Sequence, residues 1–128
     1  MDIHSLKKKL RFFSKKRDWG QFHSPKNLSM ALAAECGELL EIFQWLKEDQ
    51  IHDFLKSGED RCHVCDEIGD IFLYLIMLSD KLNIDPLVAA EQKIKKNYLR
   101  YPTQQVKGLS RKSDLESTTH PCKNCIQE

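Results

Sequence analysis

The amino-acid sequence predicts an all-α protein: a four-helix bundle that assembles into an oligomer. Apolar residues recur at helical spacing in four segments, and two of these segments open with a capping residue followed by proline, Ser24-Pro25 and Asp85-Pro86. No segment alternates polar and apolar residues for long enough to predict a β-strand. A chain of 128 residues supports one domain with a small core, so we expect its apolar helix faces to complete their burial by oligomerising.

The first helix is predicted from Asp2 to Phe13, with Asp2 as its N-cap. The second is predicted from about Pro25 to Trp45, and its apolar residues cover more than one stripe. That pattern favours burial of the second helix on two sides, as in a bundle.

The third helix is predicted from about Glu59 to Leu82, after a polar connection that holds at most a short helical turn. The fourth helix follows Asp85 and ends before Pro102, because a proline disfavours the helical conformation of the residue that precedes it. We therefore predict a domain over residues 1–102 and a polar, flexible C-terminal tail over residues 103–128.

Charge and hydropathy limit the classes of partner. Lysine and arginine number 20 against 19 acids, and this near balance argues against a dedicated nucleic-acid binder. The longest apolar run, Ile71 to Leu78, is too short to span a bilayer, and the N-terminal region lacks the apolar stretch of a signal peptide. We expect a cytoplasmic protein with neither a membrane nor a nucleic acid as partner.

Five cysteines include two C-x-x-C pairs, Cys62/Cys65 and Cys122/Cys125. Two such pairs can form a zinc site, but 56 residues separate them, and one lies in the polar tail. Free thiols are the favoured interpretation. Cys36, inside the second helix, is predicted to be a small buried residue.

Four carboxylates form two pairs at helical spacing, Glu35/Glu38 on the second helix and Glu67/Asp70 on the third. Residues three apart share one side of a helix, and each pair adjoins apolar residues that should face the interior. Converging carboxylates repel one another, which a divalent cation would relieve; an oxygen-only set suits Mg²⁺, or Mn²⁺. The alternative is a solvated acidic face. A di-iron site is disfavoured, because no histidine has a glutamate three positions before it.

Two further groups suggest a nucleotide pocket. The fourth helix carries Lys93, Asn97, Arg100 and Tyr101 along one ridge, which could hold a polyphosphate or could be a solvated basic face. Three aromatic rings could enclose a flat heterocycle. One lies in the loop before the second helix, one at the end of that helix and one on the third helix. These rings belong to Trp19, Trp45 and Tyr74.

Four runs of residues together resemble the MazG-like all-α nucleoside triphosphate pyrophosphohydrolases, specifically their dCTP pyrophosphatase branch. The runs are RDWGQFHSPKNL, ECGELLEIFQW, DEIGD followed by Tyr74, and K-x-x-x-N-x-x-R-Y-P from Lys93 to Pro102. The resemblance covers about residues 3–102. It implies a dimeric or tetrameric helical bundle that cleaves a deoxynucleoside triphosphate between its α and β phosphates.

The resemblance also implies roles for individual residues. Mg²⁺ would be held by Glu35, Glu38, Glu67 and Asp70, and Glu38 or Glu41 would orient the attacking water. The pyrimidine would lie among Trp19, Trp45 and Tyr74, and His23 would also contact the substrate. Sugar and phosphates would meet Lys93, Asn97, Arg100 and Tyr101, with Lys93 and Arg100 stabilising charge on the leaving group. Leu10 stands where animal members of the branch have a pocket histidine, which puts strict cytosine selectivity in question.

Two alternatives remain open at this point. The same fold could act on another substrate, such as dUTP, a 5-modified dCTP or a damaged purine triphosphate. A non-enzymatic helical interaction module would instead bind neither Mg²⁺ nor nucleotide.

Overall fold

The structure is a computed structural model that describes residues 1–108. This part of the chain is α-helical and contains no β-strand. Its helices are α1 (Ile3–Lys16), α2 (Pro25–Phe43), α3 (Ile51–Phe54), α4 (Gly58–Lys81), α5 (Pro86–Arg100) and α6 (Thr103–Val106), with 3₁₀ turns at Trp19–Gln21 and Glu48–Gln50. The chain divides into two compact units, residues 1–82 and a second unit that begins at Asn83.

Side-chain caps set the starts of the long helices. Asp2 and Ser24 each accept a hydrogen bond from the backbone N–H three residues later, at 2.7 and 3.1 Å. Asp85 accepts from two successive backbone N–H groups, at 2.8 and 3.1 Å. These bonds satisfy donors that the first helical turn leaves without partners. The three starts predicted from the sequence are confirmed, and Ser57 caps α4 in the same way.

The helix ends differ from the predictions. α1 continues beyond Phe13 to Lys16, and the basic residues of its last turn complement the helix dipole. α2 ends at Phe43, two residues before Trp45, because a tight turn follows and Lys47 is extended.

None of the helices within residues 1–108 has both the length and the apolar character needed to cross a membrane.

The predicted tail opens with a short helix, α6. The proposed boundary after Pro102 stays a prediction. Cys122, Cys125 and the rest of the tail beyond residue 108 lie outside the described residues.

In the first unit, α2 and α1 both pack against α4. The core of this packing contains Leu28 at the start of α2 and Val64 and Ile76 on α4. Burial of α2 on two sides, as predicted, is not seen within this unit: α4 covers one side, and Leu40 on another is exposed. The predicted fourth helix, α5, belongs to the second unit.

The prediction that Cys36 is buried is wrong. Its thiol is free and exposed, as are those of Cys62 and Cys65. Cys36 lies one helical turn before Leu40, which is also exposed, on a side of α2 that α4 does not cover. Its apolar neighbours in the sequence therefore do not imply burial within a single chain.

An ion pair joins α1 to α4. The Arg11 guanidinium donates two hydrogen bonds to the Asp80 carboxylate, Nε to Oδ2 at 2.7 Å and Nη2 to Oδ1 at 2.6 Å. The buried Lys7 ammonium lies 3.9 Å from the same carboxylate. The hydrogen bond from Arg11 lowers the pKa of Asp80, against the opposing effect of burial, and the positive charges of Arg11 and Lys7 lower it further.

Replacing Arg11 with alanine is expected to lower the free energy of unfolding by about 1–2 kcal/mol at neutral pH, since it removes a bidentate bond to a largely buried carboxylate. Because folding lowers the pKa of Asp80, this stabilisation is fully present at neutral pH and is lost in acid, below about pH 4. Urea unfolding of the wild type and of Arg11→Ala, at neutral pH and again below about pH 4, measures the difference in the free energy of unfolding. Lys9→Ala, an exposed change on the same helix, is the control. An equal loss for Arg11→Ala at both pH values would contradict the assignment.

Candidate active site

Three carboxylates meet where α2 packs against α4. Oxygens of Glu35, Glu38 and Glu67 all lie within 4.8 Å of one another. Glu35 is half-buried, Glu38 is exposed and Glu67 is buried. Their helices place them there because the i,i+3 spacing puts Glu35 and Glu38 on one side of α2, toward the face of α4 that carries Glu67.

The acidic surroundings alter the ionisation of Glu35. Burial raises the pKa of this carboxyl, and the negative charges of Glu38, Asp70 and Glu67 raise it further. A group whose pKa is raised on folding opposes folding once it is ionised, so ionised Glu35 lowers the free energy of unfolding at neutral pH. Repulsion among these groups is what a bound divalent cation would relieve.

Glu67 is the most deeply buried of the three, with 7% of its surface exposed. Its Oε1 lies 3.4 Å from Nε2 of His63, one helical turn earlier on α4. Its other oxygen, Oε2, is buried and accepts no hydrogen bond from any described residue. A buried carboxylate oxygen without a donor beside two more carboxylates fits the ligand chemistry of a hard divalent cation. His63 was not predicted as part of the site, although its i,i+4 spacing to Glu67 was the signal.

Asp70 connects the acidic cluster to a neighbouring cavity. Its charge acts on Glu35, and its side chain lines a cavity of about 260 Å³ together with Trp19, Tyr74 and His23. Leu10 and other apolar side chains of α1 and α4 complete the lining. Four of the predicted site residues, Asp70, Trp19, Tyr74 and His23, therefore line one cavity beside the carboxylates.

Local hydrogen bonds hold the loop that presents Trp19. Asp18 adopts a left-handed conformation, with φ of 54°, and the Gln21 side-chain amide donates to both its backbone carbonyl and its carboxylate at 3.0 Å. The Asn27 side chain donates to the backbone carbonyl of Phe22 at 2.9 Å. These bonds fix the turn between α1 and α2, which leaves the indole ring against the cavity and 45% exposed.

A second cavity, of about 300 Å³, adjoins the first along α1 and α4. The two share Leu10, Ser14, His23 and Met77 in their linings. Basic side chains of both helices and the carboxylate of Asp80 line the far end. Together the cavities extend away from the acidic cluster, since Asp80 lies ten residues beyond Asp70 on the same helix.

Several predicted site residues belong neither to the three-carboxylate cluster nor to the linings of the two cavities. Trp45 follows the end of α2, is 85% exposed and lines neither cavity. Glu41 lies one turn after Glu38 and is exposed. The ridge of Lys93, Asn97, Arg100 and Tyr101 belongs to the second unit, where Arg100 lies over the Tyr101 ring at 5.7 Å. The proximity of this ridge to the acidic cluster stays a prediction.

The chain is similar to animal proteins named dCTP pyrophosphatase 1. It is 37% identical over 100 residues to the protein from Homo sapiens, a match that covers 78% of this chain and 59% of that protein. The protein from Bos taurus is 38% identical over 109 residues, covering 85% of this chain and 62% of that protein. The chain thus spans about three fifths of the length of these relatives.

A solved structure and a family profile agree with this similarity. The crystal structure of a pyrophosphatase from Archaeoglobus fulgidus aligns with a TM-score of 0.73 and 38% identity, over 77% of this chain and 91% of that one. The profile of the MazG-like family matches residues 30–115, more than half of the chain and including all four predicted metal ligands. On the strength of that match and of the identity to the animal proteins, the chain belongs to the MazG-like family.

Proposed function

We propose that this protein is a Mg²⁺-dependent nucleoside triphosphate pyrophosphohydrolase that converts dCTP or a modified dCTP, with water, to the monophosphate and diphosphate. The observation that carries the proposal is the adjacency of the acidic cluster to a cavity lined by Trp19, Tyr74 and Asp70. The names of the animal relatives and of the structural neighbour supply the reaction. A cytoplasmic location and a role in control of the nucleotide pool are also part of this proposal.

The carboxylates would hold the metal. Glu35, Glu38 and Glu67 supply oxygens within reach of one cation, and Asp70 lies on the side of the cluster that faces the cavity. Mg²⁺, or Mn²⁺, supplies charge that a triphosphate requires and makes water easier to deprotonate. The presence of this metal and its identity are part of the proposal.

The remaining polar residues would position the reactants. Glu38 and Glu41, both exposed and one turn apart on α2, are the candidates for orienting the attacking water. Lys93 and Arg100 would stabilise charge on the departing diphosphate, with Asn97 and Tyr101 meeting the sugar and phosphates. The roles of these four residues require α5 to dock beside the acidic cluster, and that docking is part of the proposal.

A base-modified dCTP is favoured as an additional substrate by the second cavity. A pyrimidine placed against Trp19 and Tyr74, with its phosphates toward Asp70, would direct its far edge to the adjoining space. A volume of about 300 Å³ accommodates a ring substituent without rearrangement of the core. Leu10, shared by both cavities, offers an apolar contact to such a substituent.

We also propose that the active form is a homodimer or homotetramer. Ile68, Phe72 and Leu75 form one exposed apolar stripe on α4 at i,i+4,i+7 spacing, and Leu40 is exposed on α2. Exposed large apolar side chains of this kind are typical of an interface between subunits. Such an assembly would also bury the Trp45 ring, which is 85% exposed in the single chain.

Replacing Glu38 or Asp70 with alanine is expected to lower kcat/KM for dCTP by at least ~1,000-fold, about 4 kcal/mol of transition-state stabilisation, because either change removes a metal ligand. Diphosphate release measures the rate, and circular dichroism checks that helicity is retained. Glu59→Ala, an exposed carboxylate in the first turn of α4, is the matched control. Full activity of either variant would exclude that residue from the metal site.

Replacing Trp19 with alanine is expected to raise KM for dCTP roughly 5- to 150-fold, since stacking on an aromatic ring contributes about 1–3 kcal/mol. Trp19→Phe should retain most of the affinity, because a smaller ring can still stack. Phe12→Ala, an exposed aromatic residue that lines neither cavity, is the control. Unchanged kinetics of Trp19→Ala would remove this ring from the substrate site.

Light scattering of the protein at micromolar concentration is expected to give a multiple of the 15.0 kDa chain mass. Leu40→Glu should shift the mass toward that of the single chain, because it buries a charge in the proposed interface. Phe12→Gln alters an exposed apolar residue of α1 and should leave the assembly intact. A wild type that remains a single chain would refute the oligomer.

A further inference from the structure

We infer that His63 is a positioning residue that orients Glu67 for metal binding. The inference rests on the proposed function, since it concerns a ligand of the proposed metal site. His63 itself contributes no oxygen to the cluster and acts through the carboxylate that it contacts. No sequence motif discussed above assigns this role to it.

The contact is fixed by the geometry of one helix. His63 and Glu67 are four residues apart on α4, and Nε2 of the imidazole lies 3.4 Å from Oε1 of the carboxylate. The imidazole is 62% exposed at its side chain, whereas the carboxylate side chain is 10% exposed. His63 is thus an exposed side chain in contact with a largely buried carboxylate.

The two oxygens of Glu67 have different surroundings. Oε1 lies next to the imidazole, while Oε2 is buried and has no hydrogen-bond donor among the described residues. Leaving a buried carboxylate oxygen without a partner is unfavourable, unless a cation supplies the missing interaction. With Oε1 beside His63, Oε2 would be left to contact a bound cation.

The different contacts of the two oxygens matter because the carboxylate group can rotate. Rotation about the last side-chain torsion would exchange the oxygens, and loss of the imidazole would leave that torsion without a polar restraint at Oε1. Partners of this kind, outside the ligands themselves, orient metal-binding carboxylates in many proteins. Glu38 is exposed and can be oriented by water, so the restraint is most important at the buried Glu67.

The test is the affinity of the 128-residue protein for Mn²⁺, measured without nucleotide by electron paramagnetic resonance of the free ion. His63→Ala is expected to weaken binding roughly 3- to 10-fold, at or below the lower end of the usual range because the contact is long and partly exposed. His63→Gln should recover most of the affinity, because its side-chain amide can place a polar hydrogen near Oε1. His52→Ala, an exposed histidine on α3, should bind as the wild type does.

The outcomes separate this inference from the proposed function. Equal Mn²⁺ affinity of the wild type and His63→Ala would overturn the positioning role and leave the metal site intact. The same loss in His63→Gln as in His63→Ala would also overturn it, since donation to Oε1 would not be the cause. A wild type that binds no Mn²⁺ would instead refute the metal site on which the proposed function depends.

Discussion

Repulsion between carboxylates packed at the seam of α2 and α4 is the constraint on which the site depends. Glu35, Glu38 and Glu67 bring like charges within 4.8 Å, and the buried Glu67 has an oxygen without a donor among the described residues. The apolar contacts around Leu28 and Ile76 hold the helices together in spite of this repulsion. Under the proposed function, a divalent cation would relieve this repulsion at the edge of the cavity that would hold the nucleoside.

Much of the helical architecture could be predicted because its causes are local. Caps at Asp2, Ser24 and Asp85 and the spacing of apolar residues locate helix starts to within a residue. Burial could not be predicted equally well, since it depends on which surface meets which partner. Cys36 illustrates this: its apolar sequence context predicted burial, yet its side of α2 is uncovered in the single chain.

The same distinction applies to the site. Pairing of Glu35 with Glu38 follows from i,i+3 spacing, but convergence of the acidic pairs depends on how α2 and α4 pack. The bond between Arg11 and Asp80 joins residues 69 apart, and no local pattern specifies it. His63 differs, because its i,i+4 spacing to Glu67 is visible in the sequence, but that spacing alone does not distinguish a histidine beside a buried carboxylate from one on a solvated face.

The most direct test of the proposed reaction is identification of the products formed from dCTP by the wild-type protein, by chromatography, with Mg²⁺ and with a chelator in its place. Equal amounts of dCMP and diphosphate are expected with Mg²⁺, and no turnover with the chelator. Release of dCDP and inorganic phosphate would contradict cleavage between the α and β phosphates. Absence of hydrolysis of dCTP and its 5-substituted derivatives would contradict the enzymatic role itself and favour a helical interaction module.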